Sequence, residues 1–143
     1  MTGVLPPAFV VDASVSAAWL LPDEATPATE AALLATATHA AWVPALWLLE
    51  MGNLLLNAQR RKRIGADKRI ALAAAAAALR LKVDREPVSL VTLDALAARH
   101  GLTAYDAAYL ELALRRGLPL ATLDADLLAA MLSAGVSPSM PAA

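Results

Sequence analysis

The chain has 143 residues, a net charge of −1, no cysteine and only two histidines, His39 and His100. That length fits one domain able to bury a continuous core, and the lack of cysteine removes disulfides, thiolate metal sites and cysteine nucleophiles together. Hydrophobic residues make up 59% of the chain, yet the longest uncharged run, 31 to 49, contains His39, Pro44 and several threonines, a poor match to a membrane span of about 20 apolar residues.

No basic residue precedes the first apolar stretch, which argues against a secretory signal. Much of the hydrophobicity is alanine, which favours helix and close packing. The reading is a soluble, cytoplasmic protein with no membrane partner. Any metal has to be held by oxygen, which selects hard ions such as Mg²⁺ or Mn²⁺.

In chain order, Phe9, Val10 and Val11 read as a buried strand ending at Asp12. A short helix from Ala13 to Leu21 is stopped by Pro22, and a second runs from about Pro27 to Thr38. Ala41, Trp42 and Val43 form a second strand closed by Pro44. Residues 45 to about 63 read as helix, with Gly65 at its end, and 67 to about 83 as an alanine-rich helix. Pro87 to Leu90 is a third, weaker strand, and Leu93 to Arg99 a helix ended by Gly101. Thr103 to Arg116 is an amphipathic helix closed by Gly117. Leu120 to Leu123 is a strand, Asp124 to Ala134 the last helix, and the tail from about 136 holds at most one short edge strand before fraying.

Strands alternating with helices predict one α/β domain over 1 to 143, its core at about 8 to 134. Its architecture is a three-layer α/β/α sandwich around a mostly parallel sheet of four to five strands. In such a sheet ligands bind at the carboxyl ends of the strands. Asp12 and Asp124 end two strands, and Asp126 follows two residues later. Glu50 lies early in the helix that leaves the second strand. Asp106 opens a helix about 21 Å long, enough to cross the sheet and return its start to the same edge. Each acid has a local explanation as a helix cap or first-turn charge. Gathered together they repel, and the remedies are raised pKa values or bound divalent cations. Ser14, Asn53 and Thr122 stand where polar support for such a site belongs, although Ser14 and Thr122 also read as caps.

The net charge conceals a segregation. Residues 60 to 85 carry nine of the twelve basic side chains against Asp67 and Asp84, a local balance of +7. Arg60, Arg61, Lys62 and Arg63 form its densest part, suited to a polyanion backbone or simply to a solvated helix end. Arg99, Arg115 and Arg116 are further candidates for holding a phosphate chain. Trp19, Trp42, Trp47, Tyr105 and Tyr109 read as core or interface residues rather than base platforms.

The segments FVVDASVSAAWLLPDE, PALWLLEMGNLLLNAQRRKRI and HGLTAYDAAYLELALRRGLPLATLDADL, in that order, resemble the PIN-domain ribonucleases, most closely the VapC-type toxins of toxin–antitoxin pairs. The likeness spans residues 9 to 132. It implies an endoribonuclease that uses Mg²⁺ or Mn²⁺ to cleave single-stranded RNA. By motif position the metal-binding and catalytic quartet is Asp12, Glu50, Asp106 and Asp124. Asp126 is a fifth acid of variable role, and Ser14, Asn53 and Thr122 are supporting groups. It further implies a homodimer silenced by a cognate VapB-type antitoxin. Two other readings stay open from the residues alone: a DNA nuclease or other phosphodiesterase on the same acids, and a non-catalytic partner-binding protein whose acids are caps. No GxxxxGK[ST] or GxSxG motif supports nucleotide or serine hydrolase chemistry.

Overall fold

The computed structural model describes residues 7–139. The β-branched run forms β1 (Ala8–Val11), whose last three residues are buried. It pairs in parallel with β2 (Ala40–Pro44) on one side and with β4 (Leu120–Ala121) on the other. An outer strand, β3 (Leu81–Asp84), pairs in parallel with β2, giving the order β3-β2-β1-β4. Parallel neighbours require long crossovers, and seven helices supply them among the described residues.

α1 (Ala13–Leu20) starts at once after β1 because the Asp12 carboxylate accepts a hydrogen bond from the Val15 amide. Leu21 is extended, as a residue before proline must be, and a 3-10 turn follows at Pro22–Glu24. α2 (Pro27–Ala35) opens with a reciprocal Thr26/Thr29 capping box and Pro27 in its first turn. α3 (Trp47–Arg60) buries Trp47, Met51, Leu55 and Ala58 along one stripe. α4 (Ala66–Ala77) leads into β3. α5 (Leu90–His100) and α6 (Ala104–Arg116) each end in a left-handed glycine, Gly101 at φ 64° and Gly117 at φ 65°. α7 (Ala125–Ser133) is capped by Asp124.

Helix contacts fall into two groups. α1 touches α2, α3 and α4, whereas α6 touches α5 and α7 and lies on β1, β2 and β4. The result is the α/β/α sandwich expected, with one apolar core in which Val10, Val43, Leu110, Leu120 and Met131 are fully buried. No described helix is long and apolar enough to cross a membrane.

Several expectations are corrected. The helix read as 67 to 83 stops at Ala77, and its last residues form β3. Leu81 and Val83 alternate with Lys82 and Asp84, a period-2 pattern masked by the alanine run before it, and pairing with Ala41 to Pro44 decides the outcome. The strand expected at 87 to 90 is therefore displaced to 81–84. Gly65 begins α4 instead of ending α3; the left-handed turn between them falls on Lys62 at φ 60°. The fourth strand is two residues long, and the edge strand expected in the tail is a single bridge between Leu120 and Pro138. Residues 1–6 and 140–143, including the end of that tail, lie outside the described residues.

Candidate active site

The carboxyl edge of the sheet is built around Asp12, which is 4% exposed. One carboxylate oxygen accepts hydrogen bonds from the Ser14 hydroxyl at 2.6 Å and the Val15 amide at 3.1 Å. The other accepts from the Thr122 hydroxyl, just past β4. These two hydroxyls in turn accept amide hydrogens, Ser14 from Leu123 across the two strand ends at 2.9 Å and Thr122 from Asp124 two residues on at 3.0 Å. Together with the Asp12 amide on the Ala121 carbonyl, this stitches the ends of β1 and β4 into one rigid frame. Asp124 caps α7 through the Leu127 amide at 2.9 Å. Asp12 and Asp124 are thus caps and members of the cluster at once.

Glu50 reaches the cluster from the first turn of α3. Its carboxylate accepts a hydrogen bond from the Tyr109 hydroxyl at 2.5 Å. Asp106 sits in the first turn of α6, its own amide bonded to Thr103 at 3.1 Å. Burial pushes the pKa of Asp12 up, and the charge of Asp106 adds to the rise. Burial also raises Glu50, with Asp106 and Asp12 contributing. Asp106 is raised by burial, then by Asp124 and Asp126. The charges that raise these three acids come from Asp12, Asp106, Asp124 and Asp126, so the topology has brought residues from four separate segments into one electrostatic unit.

That unit contains no cationic partner for Asp12, Glu50 or Asp106 among the described residues. Nor do any three acidic or histidine side chains there close to the spacing that grips a metal ion. The acids are linked by charge coupling rather than by shared ligation. The donor chemistry is nevertheless all oxygen, carboxylate and hydroxyl, which fits a hard divalent cation and excludes a soft one.

Beside Glu50 a cleft of about 620 Å³ opens along α3. Ala13, Glu50, Asn53, Asn57, Arg61 and Tyr105 are among the residues that line it. Asn53 lies one turn beyond Glu50 on this wall. Arg60, Arg61 and Lys62 are exposed, whereas Arg63 is engaged by Asp23 at 2.9 Å and Glu24 at 3.3 Å.

Two aromatic readings and one cationic reading need correction or addition. Tyr109 is core, 1% exposed, but it is also the hydrogen-bond partner of Glu50, a role with no local signature because the two are 59 residues apart. Tyr105 is 64% exposed on the cleft instead of lying in the core. Arg115 and Arg116 do not face a polyanion. Arg115 grips Asp84 through both guanidinium nitrogens, at 2.7 and 3.1 Å, and also bonds Glu86 and Glu111. Arg116 pairs with Asp84 at 2.8 Å and stacks on Trp42, 3.6 Å from the ring centroid.

Comparison with known proteins gives the family and the fold. Residues 9–131 match the family model for the PIN domain. The chain is similar to the crystal structure of PAE2754 from Pyrobaculum aerophilum, with 27% identity, a TM-score of 0.68, and 91% of this chain and 83% of that one covered. It shares its fold with VapBC2 from Rickettsia felis, solved bound to a DNA fragment from their promoter, at 10% identity and TM-score 0.59, covering 82% and 88%. It shares it also with FitAcB from Neisseria gonorrhoeae, at 19% identity and TM-score 0.57, covering 91% and 95%. No curated protein matches. With the family model covering nearly the whole chain, and the acids gathered at the sheet edge, this protein belongs to the PIN domain family.

Proposed function

We propose that the protein is a metal-dependent endoribonuclease that cleaves single-stranded RNA in the cytoplasm, as the toxin of a VapBC-type pair. The observation that carries this reading is the coupled, counterion-free cluster of Asp12, Glu50, Asp106 and Asp124 in a PIN domain. Asp12, Glu50 and Asp106 are raised by burial, with neighbouring acidic charges adding to the rise, a cost that a bound ligand relieves. A divalent Mg²⁺ or Mn²⁺ ion, when bound there, would supply Lewis-acid polarisation of a phosphodiester and easier deprotonation of a water at neutral pH.

The protein's own residues then divide the work. Asp12, Asp106, Asp124 and Glu50 would hold the cation, with Asp126 as a fifth, exposed acid. Ser14 and Thr122 fix Asp12 in orientation, Tyr109 fixes Glu50, and Asn53 stands beside Glu50 on the cleft wall. Arg60, Arg61 and Lys62 attract the RNA backbone, a contribution that weakens with salt. Likeness to VapBC2 and FitAcB supports a VapB-type antitoxin as partner. Exposed Leu34, Leu48, Leu49, Leu90 and Val91 offer apolar surface for that antitoxin and for a homodimer.

The test is cleavage of a single-stranded RNA pool by purified, antitoxin-free protein with Mg²⁺, with Mn²⁺ and with EDTA, beside Asp106→Asn. Metal-dependent cleavage lost in the variant supports the reading. Cleavage of DNA but not RNA, or of neither, overturns it.

A further inference from the structure

The cleft beside the acids has a chemical gradient along a single helix face. Glu50, Asn53, Asn57 and Arg61 follow one another at spacings of three and four residues, so they share one side of α3 and its end. The row begins with an acid of the cluster, continues through two amides, and ends in an exposed cation. Glu50 and Arg61 are 11 positions apart, about 16 Å at the helical rise. Leu46, Leu49 and Leu54 line the same cleft. Facing this row, from the first turn of α6, stands Tyr105, immediately before Asp106 and 64% exposed.

An exposed phenol ring and apolar wall are poor surfaces to leave in water, and an amide has both donor and acceptor capacity to present. No hydrogen bond engages the Asn57 side chain among the described residues. The cleft volume of about 620 Å³ lies in the range of small-ligand sites. These are the ingredients by which proteins hold an unpaired base: an aromatic face to stack on, a polar edge reader and a cation for the adjoining phosphate.

Building on the nuclease reading above, we propose that this cleft is a base-recognition subsite for the nucleotide next to the scissile phosphate. Tyr105 stacks on the base, Asn57 bonds its edge, and Arg61 holds the neighbouring phosphate. Because Tyr105 and Asp106 are adjacent, the helix turn that carries a cluster acid also fixes the base. Cutting and sequence preference are thereby tied to one rigid element, with no moving loop between them.

The experiment uses the full chain and two measurements. One is metal-dependent cleavage of a randomised single-stranded RNA, sequenced at the cut ends; the other is binding of a fluorescent single-stranded RNA in EDTA at low salt. Tyr105→Leu is compared with Tyr105→Phe, which keeps the ring, and with Asn57→Ala. Both positions are solvent-facing, so folding is preserved, and thermal melting verifies it. Tyr105→Leu is expected to weaken RNA binding and raise KM roughly 5- to 150-fold, the span of base stacking on an aromatic residue, while Tyr105→Phe stays within about twofold. Asn57→Ala is expected to flatten the base preference at a single position, by about fivefold.

Tyr105→Leu with wild-type binding and unchanged preference overturns the subsite and leaves the nuclease reading intact. A wild-type protein that neither binds nor cuts RNA defeats the nuclease reading itself, and the subsite with it.

Discussion

Two groups of carboxylates lie on this sheet, and they are treated in opposite ways. At the end of β3, Asp84, Glu86 and Glu111 are matched by Arg115 and Arg116, and Asp84 is held below its ordinary pKa chiefly by Arg115. At the ends of β1 and β4, Asp12, Glu50 and Asp106 have hydroxyls, an amide and a phenol as partners but no arginine or lysine, and all three are held above their ordinary values by burial. α6 serves both, with Asp106 at its start and Arg115 and Arg116 at its end. A carboxylate that arrives with its cation is satisfied within the fold; carboxylates that arrive without one carry a cost that the proposed ligand would relieve.

Swapping charge for amide at each group is the sharpest way to break this contrast. Asp106→Asn is expected to lower metal-dependent RNA cleavage by more than roughly 100-fold, beyond the scale on which even supporting contacts around a metal act. It is also expected to raise the melting temperature in EDTA, since it removes a half-buried charge facing Asp124 and Asp126. Asp84→Asn should do the reverse. It leaves Arg115 and Arg116 short of their shared partner and costs about 3 kcal/mol of stability, while specific activity of the folded fraction stays near wild type. A thermal melt and a cleavage assay on both variants check the crossover, and two variants that fall together in both would dissolve the distinction.

Metal addition sharpens it next. Mn²⁺ at about 100 times its dissociation constant should stabilise the wild-type chain by about 2.7 kcal/mol. Asp84→Asn keeps that gain and Asp106→Asn loses most of it. Differential scanning fluorimetry in Mn²⁺ against EDTA reads both. A gain of equal size in all three proteins would place the ion elsewhere.

The sequence carried one of these groups far better than the other. Asp12, Glu50, Asp106 and Asp124 each lie at an element boundary that local patterning marks: a strand end, an early helix turn after a strand, a Thr-x-x-Asp helix start. Topology then does the gathering. The arginine network was hidden because Asp84 belongs to β3, an edge strand whose half-exposed alternation follows an alanine-rich helix. Its partners come from α6, 31 and 32 residues later. Tyr105 and Tyr109 show the same limit on a smaller scale. They share a helix face at i and i+4, yet one overhangs the cleft at 64% exposure and the other is 1% exposed. Periodicity identifies the face and is silent on where the core beneath it ends.

Acid separates the two groups by pH window. Asp106 has a folded pKa above its ordinary 3.8, so its ionisation costs stability at neutral pH, and that cost disappears as pH falls through the folded value toward 3.8. The melting advantage of Asp106→Asn should therefore fade on the high side of 3.8. Asp84 has a folded pKa below its ordinary 3.8. Its stabilisation is complete above 3.8 and is lost only as pH falls below it toward the folded value. The deficit of Asp84→Asn should accordingly persist until the pH is below 3.8. Denaturant melts of the two variants and wild type between pH 7 and 3 check the order, and a deficit that fades before the advantage does would reverse the assignment.

The smallest effect concerns the phenol that links the core to the site. Tyr109→Phe keeps the buried ring and removes only the hydroxyl that donates to Glu50. Stability should change by about 1 kcal/mol or less, because Glu50 is half-exposed and water can take the vacated position. Cleavage should fall by about tenfold, since Glu50 then loses the contact that aims it at Asp12 and Asp106. The loss should appear as a higher Mn²⁺ concentration at half-maximal rate, with the RNA concentration at half-maximal rate unchanged. A Tyr105→Leu variant is expected to show the opposite split, so measuring both dependences in both variants separates the tyrosine that holds an acid from the tyrosine that meets the RNA. If Tyr109→Phe instead altered only the RNA dependence, Glu50 would belong with Asn57 and Arg61 on the recognition wall, and the counterion-free group would shrink to the acids carried by β1, α6 and the end of β4.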